Sequence, residues 1–249
     1  MIREFARGVG MLLGGFGWWR RRPGAMMLGL LPAAIVSVVL VAALIALGIE
    51  TPALADAMTP FADGWPGFWA TVLRVAVGTA LFGGAIVIAA VSFTALTLLV
   101  GEPFYDRIWR TVERDLGGAV PDIPYGFWRA VGDGLSLIGR GILVAIAAAL
   151  VGLIPVVGSV LGAVLGTALA GWLIADELSS RALTARGIDA RSRRTLLRTH
   201  RARALGFGVA VQLFFLVPLG AIAVMPSAVA GSSVLARSLL DEDVAQIAA

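Results

Sequence analysis

The sequence predicts an all-α integral membrane protein, with two long transmembrane helices, two re-entrant (hemi-penetrating) helical hairpins, and amphipathic interfacial and cytoplasmic helices. Three observations predict it. Of 249 residues, 59% are hydrophobic and 14% are charged, where a soluble domain carries about 25%. Four stretches hold no Asp, Glu, Lys, Arg or His: Pro23 to Ile49, Val75 to Gly101, Gly141 to Ala175 and Ala204 to Ala236. Each is long enough for a bilayer core of about 30 Å, which takes roughly 20 helical residues to cross. The arginines, finally, are bunched beside these runs.

Taken in order, residues 1–22 form an amphipathic helix. Ile2, Phe5, Val9, Leu12 and Phe16 share one face, with Arg3 and Arg7 off it, a pattern suited to the membrane interface. Residues 23–49 and 75–101 each read as one spanning helix. The first run exceeds the apolar core of a signal peptide and has no small-residue cleavage site before Glu50. The linker between the spans carries Glu50, Asp56 and Asp63 against Arg74, with Phe61, Trp65, Phe68 and Trp69 as an aromatic belt. Arginine-rich segments lie at 1–22, 102–140 and 176–203. Such segments stay cytoplasmic, which places both termini inside and the 50–74 linker outside.

The run at 141–175 therefore begins and ends on the same side. Its 35 residues make about 52 Å of helix, too much for one crossing and too little for two, which need about 40 residues. Pro155 and Gly158 break it near the middle. The run at 204–236 is broken similarly by Pro218 and Gly220, with a further break expected at Met225-Pro226-Ser227. Re-entrant hairpins satisfy the charge pattern, and kinked spanning helices are the alternative. The whole of 1–249 is read as a single membrane domain. Within the polar segments, the stripe Phe104, Ile108, Val112, Leu116 continues a helical period, and Asp106 and Arg110 stand one turn apart. The stretch from Arg191 to Arg203 is cationic on its outer surface, with anionic headgroups as the expected neighbour.

The catalytic inventory is nearly empty. No cysteine is present, and His200 is the sole histidine, without an acidic partner nearby in sequence. No metal site can be drawn from that set, no cofactor is expected, and the reading is of a protein that is not an enzyme. All 20 basic residues are arginine, and their place beside the membrane runs argues for orientation and against nucleic-acid binding. Gly158, Gly162 and Gly166 form a small-residue stripe of the kind that lets helices approach closely in lipid.

Several motifs in order resemble the CysZ family of sulfate permeases, grouped with the etoposide-induced membrane proteins. They are Pro103-Phe104-Tyr105-Asp106 with Val112-Glu113, the run from Gly152 to Gly158, and Arg186-Gly187 with Arg193-Arg194. Ala204 to Gly208, Val217-Pro218 and Met225 to Gly231 complete the set. The resemblance spans about Phe5 to Leu235. It implies two long spanning helices, two hemi-penetrating hairpins and passage of sulfate. In that family a proline-glycine early in the first span is followed by leucine and paired arginines that bind the anion. Here Pro23-Gly24 is followed by Ala25, Met26 and Met27, so only Gly24 matches, while Arg20, Arg21 and Arg22 stand just before it. These arginines fit a shifted anion site or a positive-inside anchor.

Two further features suit an anion. A half-helix starting at Gly158-Ser159 would aim backbone N–H groups and its positive dipole end inward. Neutral polar residues able to line a path include Thr167, Gln212 and Ser227, along with Ser37, Ser92, Thr94 and Thr97. No ionisable group lies inside any run, so nothing marks a proton relay. The expected function is a passive or channel-like oxyanion permease of the cell membrane. Its expected partners are sulfate or a similar inorganic oxyanion, anionic lipids at the cytoplasmic face, and further copies of the chain in a homo-oligomer. The alternative is a membrane scaffold or lipid-interacting protein without transport activity.

Overall fold

Backbone in hydrocarbon must satisfy its own hydrogen bonds, and the helix does this within one segment. The computed structural model describes residues 1–117, 120–123, 126–155, 157–217 and 219–240, apart from the side chains of residues 94, 127 and 130. All regular secondary structure among them is helical. The order is α1 (Ile2–Arg21), α2 (Pro23–Leu28), α3 (Leu31–Met58), a short 3-10 turn (Pro60–Ala62), α4 (Gly67–Asp115) and α5 (Phe127–Gly152). It continues with α6 (Gly158–Ala185), α7 (Ala190–Thr199), α8 (Arg201–Phe215) and α9 (Gly220–Leu239). Among the described residues, five segments are long and apolar enough to cross a membrane: Pro23–Met58, Gly67–Asp115, Val131–Gly152, Gly158–Ala185 and Gly220–Leu239.

The helix ends follow local chemistry. Pro23 opens α2, where its missing N–H costs nothing. The Asp189 side chain accepts from the Ser192 N–H at 3.2 Å and caps α7. Gly187, at φ +78°, ends α6. There the Ile188 N–H reaches Leu183 O at 3.1 Å and the Gly187 N–H reaches Thr184 O at 2.8 Å, the paired bonds of a Schellman turn. The chain leaves the helix between Gly152 and Gly158, where Pro155 supplies no N–H. It leaves again between Phe215 and Gly220. Pro218 lies outside the described residues; beside it Leu219 takes the left-handed φ of 63°, an uncommon conformation for a residue with a Cβ. Gly220 stands at the expected break, where a Cβ would overlap the Phe214 carbonyl oxygen at the end of α8.

The chain divides into two units. Unit 1 comprises Met1–Leu30 with Phe104–Ala249, and unit 2 comprises Leu31–Pro103. In unit 1, α5 pairs with α6, α6 with α8, and α1 lies on both α8 and α9. Glycine permits these approaches. A Cβ on Gly8 would overlap Arg203 O, one on Gly206 would overlap Phe5 O, and Gly171 and Gly208 meet backbone to backbone. The face that α1 turns inward is therefore Gly8, Leu12, Gly15 and Trp18, rotated from the Ile2-Phe5-Val9 face, and Ile2 stays exposed. Gly158 and Gly162 lie against the Ala148–Gly152 end of α5, within 2.8 Å of backbone oxygens for a built Cβ.

Helix α9 is the centre of unit 1, buried without interruption from Val224 to Leu239. It also corrects an expectation. The chain does not break at Met225-Pro226-Ser227, because α9 runs through Pro226. The ring is buried against Gly29, where a Cβ would stand 2.6 Å from Pro226 Cγ. Tight neighbours hold a helix through a proline that would break it in water.

In unit 2, α3 is 28 residues long, about 42 Å, and much of its surface is exposed and apolar, including Val38, Val39 and Ile45. Helix α4 has 49 residues, far more than the apolar run at 75–101. Its residues 67–103 belong to unit 2 and 104–115 to unit 1.

Candidate functional site: buried arginine and carboxylate clusters

Unit 1 encloses two groups of charges. In the first, the Glu113 side chain is fully shielded from solvent. Arg186 clasps it as a fork, with Nη2 3.0 Å from Oε2 and Nη1 3.3 Å from Oε1. Arg237, from α9, donates Nε to the same Oε2 at 3.1 Å. Its Nη1 and Nη2 donate to Leu116 O and Gly117 O, each at 2.8 Å. Those carbonyls stand at the C-terminal end of α4, where a cation complements the helix dipole. Arg237 thus satisfies a helix end and a buried carboxylate together.

The second group centres on Asp176, whose side chain is 2% exposed. Arg140 Nη1 lies 2.6 Å from Oδ2, and Arg193 Nε 3.1 Å from Oδ1. Arg193 also reaches Thr184 Oγ1 at 3.2 Å and Asp133 Oδ2 at 3.4 Å. Beside it Arg194 donates to Ser136 Oγ at 3.0 Å. The group fastens α5, α6 and α7. Arg193 is therefore buried, not part of a cationic outer surface as its neighbours in sequence implied.

Nearer the surface, Arg203 Nε donates to Glu4 Oε2 at 2.8 Å and joins α8 to α1. The Arg203 guanidinium holds the Glu4 carboxyl below its usual range, chiefly through that hydrogen bond. Arg110 pairs with Asp106 at 2.8 Å, one turn apart as the spacing predicted. His200 is half-buried, its Nδ1 3.3 Å from Leu196 O.

The residues singled out from sequence fall in several places. Arg20, Arg21, Arg22 and Gly24 are exposed. Arg22 is engaged by Asp115, with Nε at 2.7 Å and Nη2 at 2.9 Å from its two oxygens, an arrangement that holds the guanidinium firmly protonated. Arg21 stacks 6.0 Å above the Trp18 ring. The Gly158 N–H is spent on Ile154 O at 2.9 Å, while Ser159 is exposed at the start of α6. Thr167 and Gln212 are half-buried on α6 and α8. Ser227 is fully buried and accepts from Trp19 Nε1 at 3.0 Å, a tie between α9 and α1. Ser37, Ser92 and Thr97 lie on α3 and α4, and the Thr94 side chain is outside the described residues.

Glu113 and Arg186 stood in the sequence only as motif residues with no role given, and Asp176 and Arg237 were missed. A signal for Glu113 existed: it continues the stripe Tyr105, Trp109 at helical spacing, and both of those are buried. Asp176 and Arg237 are the first charges after an apolar run, which disguises them as span ends. Among the described residues no cluster of His, Asp and Glu is suited to hold a metal.

Long apolar helices, broken twice by turns and fastened by guanidinium–carboxylate clusters, define an all-helical, multi-pass membrane protein. Residues 11–226 match the family described as sulfate transporter CysZ/etoposide-induced protein 2.4, and the chain belongs to that family. No curated protein matches it as an individual relative.

Proposed function

We propose that this chain is a passive, channel-like permease for sulfate or a similar oxyanion in the cell membrane. The observation that carries the reading is the family match over residues 11–226. The arginines Arg20, Arg21 and Arg22 beside Gly24 support it, because a guanidinium fork suits a tetrahedral oxyanion. The four apolar runs hold no ionisable group for proton coupling. In the proposed topology α3 and the apolar part of α4 span the bilayer. The pairs α5–α6 and α8–α9 enter and return, with both termini cytoplasmic and 50–74 outside. Several copies assemble, and anionic lipid lies against the cytoplasmic face.

The anion is proposed to meet Arg20, Arg21 and Arg22 with the backbone at Gly24, and the Gly158-Ser159 start of α6. It passes the polar side chains of Thr167, Gln212 and Ser227. Since Asp115 already occupies Arg22, the anion competes with a carboxylate there.

The test is uptake of radiolabelled sulfate by liposomes holding the purified protein. Single cysteines at Ala57 and Thr195, both exposed, report orientation by labelling from opposite sides. Uptake above protein-free liposomes, without an imposed proton gradient, is the expected result. Arg20, Arg21 and Arg22 changed together to glutamine should abolish it in correctly oriented protein, since a charge-assisted hydrogen bond contributes roughly 1.5–3 kcal/mol. Absence of uptake by the unaltered protein would leave the scaffold reading in place.

A further inference from the structure

Unit 2 contains a cleft of about 720 Å³ between the C-terminal half of α3 and the N-terminal half of α4. The helices meet in it at small residues: a Cβ on Gly78 would stand 3.0 Å from Thr51 Cγ2, and one on Gly48 3.3 Å from the Phe82 ring. The cleft is graded along its length. One end carries Asp56, Thr71 and Arg74, and the other is lined by Phe82, Gly83 and Ile86. From Thr71 to Ile86 is about 22 Å of helix. That exceeds the half-thickness of a hydrocarbon core, about 15 Å. A groove of this length with a charged mouth has the dimensions of a headgroup with its acyl chain.

The mouth also states which headgroup. Arg74 Nε lies 2.8 Å from Asp56 Oδ1 and its Nη2 2.6 Å from Asp63 Oδ1. Two carboxylates thus share one guanidinium, and the mouth is net negative. The carboxylates are exposed, 62% and 69%, and each keeps acceptor capacity that one arginine cannot fill. The Thr51 and Thr71 hydroxyls donate to Leu47 O and Gly67 O, so neither donates to a ligand. Exposed ring pairs Phe61–Trp65 and Phe68–Trp69 stand in the same linker, the side chains that settle at headgroup level. A purely anionic lipid is repelled by the excess carboxylate. A zwitterion with a primary ammonium offers N–H donors to Asp56 and Asp63 and a phosphate to the remaining donors of Arg74. A trimethylated ammonium has no N–H to give.

We propose that the α3–α4 cleft is a binding site for a glycerophospholipid with a primary-ammonium headgroup, of the phosphatidylethanolamine type. Its acyl chain lies along Val75, Gly78 and Phe82, and its headgroup is held by Asp56, Asp63 and Arg74. The site is independent of whether the chain transports an anion.

The experiment is native mass spectrometry of the full-length, delipidated protein. Phosphatidylethanolamine, phosphatidylcholine and phosphatidylglycerol of identical acyl chains are added in equal amounts. Retention of the ethanolamine lipid about tenfold above the other two is expected, the factor that one charge-assisted hydrogen bond provides. The double change Asp56→Asn with Asp63→Asn should erase that preference while lipid is still bound. Gly83→Phe should remove bound lipid of every headgroup, because a Cβ at Gly83 meets nothing and the ring enters the cleft. An unchanged melting temperature confirms that this variant is folded, and should it unfold, Gly83→Leu takes its place. Equal retention of the three lipids by the unaltered protein overturns the proposal. So does undiminished ethanolamine-lipid retention by a folded Gly83 variant.

Discussion

Units 1 and 2 place charge oppositely. In unit 1 the carboxylates of Glu113 and Asp176 are sealed inside among arginines from distant helices. In unit 2 the ion pairs of Arg74 sit at an exposed edge, and the helix flanks carry bare apolar side chains. The difference teaches what each unit relies on. Unit 1 is fixed by protein–protein contacts that tolerate one arrangement, since a buried charge is costly unless its partner is in place. Unit 2 leaves much of its apolar surface without protein contacts.

The sharpest way to break this contrast is Glu113→Gln. It leaves Arg186 and Arg237 facing each other without their shared carboxylate. A loss of about 3–5 kcal/mol is expected, read as a collapse of the melting temperature in detergent. Survival at wild-type stability would mean that the cluster does not hold unit 1.

Glycine offers a second, smaller contrast. Gly208→Val in unit 1 drives a side chain into the Gly171 backbone, and a cost of about 1–3 kcal/mol is expected. Gly84→Val in unit 2 meets no neighbour and should melt with the parent protein. Equal effects at the two sites would erase the distinction between them.

The smallest effect lies at the rim of unit 1. Glu4 has its folded-state pKa lowered by Arg203. Its stabilisation is therefore fully present above the unfolded carboxyl value and is lost as pH falls through the lowered one. Comparing melting temperatures of the parent and Glu4→Gln, the gap should be open at neutral pH and close in acid. A gap independent of pH would show that the pair contributes by shape alone.

How much of this was legible in sequence follows from the range of each interaction. The membrane class and the turn at Pro155 depend on neighbouring residues, and both stand in the linear text. The length of α4 does not, because hydropathy marks only the portion suited to lipid, while the helix continues through Gly67 to Arg74 and Glu102 to Asp115. The clusters were hidden because their partners are remote: Glu113 and Arg237 are 124 positions apart, and Arg22 and Asp115 are 93 apart. A charge next to an apolar run looks the same whether it ends a span or is paired inside the protein. Pro226 was misread for a related reason, since its helix is held by Gly29 and not by its own neighbours.

The burial of α9 has a consequence for how the protein is made. Helices α1, α6 and α8 all contact α9, and α9 leaves the ribosome after every one of them. Gly15 of the first helix waits for Ser227, and Met11 waits for Gly231. Chains fold from the N-terminus as they are synthesised, at about 5–20 residues per second, so the 20 residues of α9 take roughly 1–4 seconds to appear while their slot stands open. During that interval the close approach at Gly15 of α1 is unfilled. The core of unit 1 is thus completed only when α9 arrives, more than 200 residues after the start of the helix α1 that it packs against.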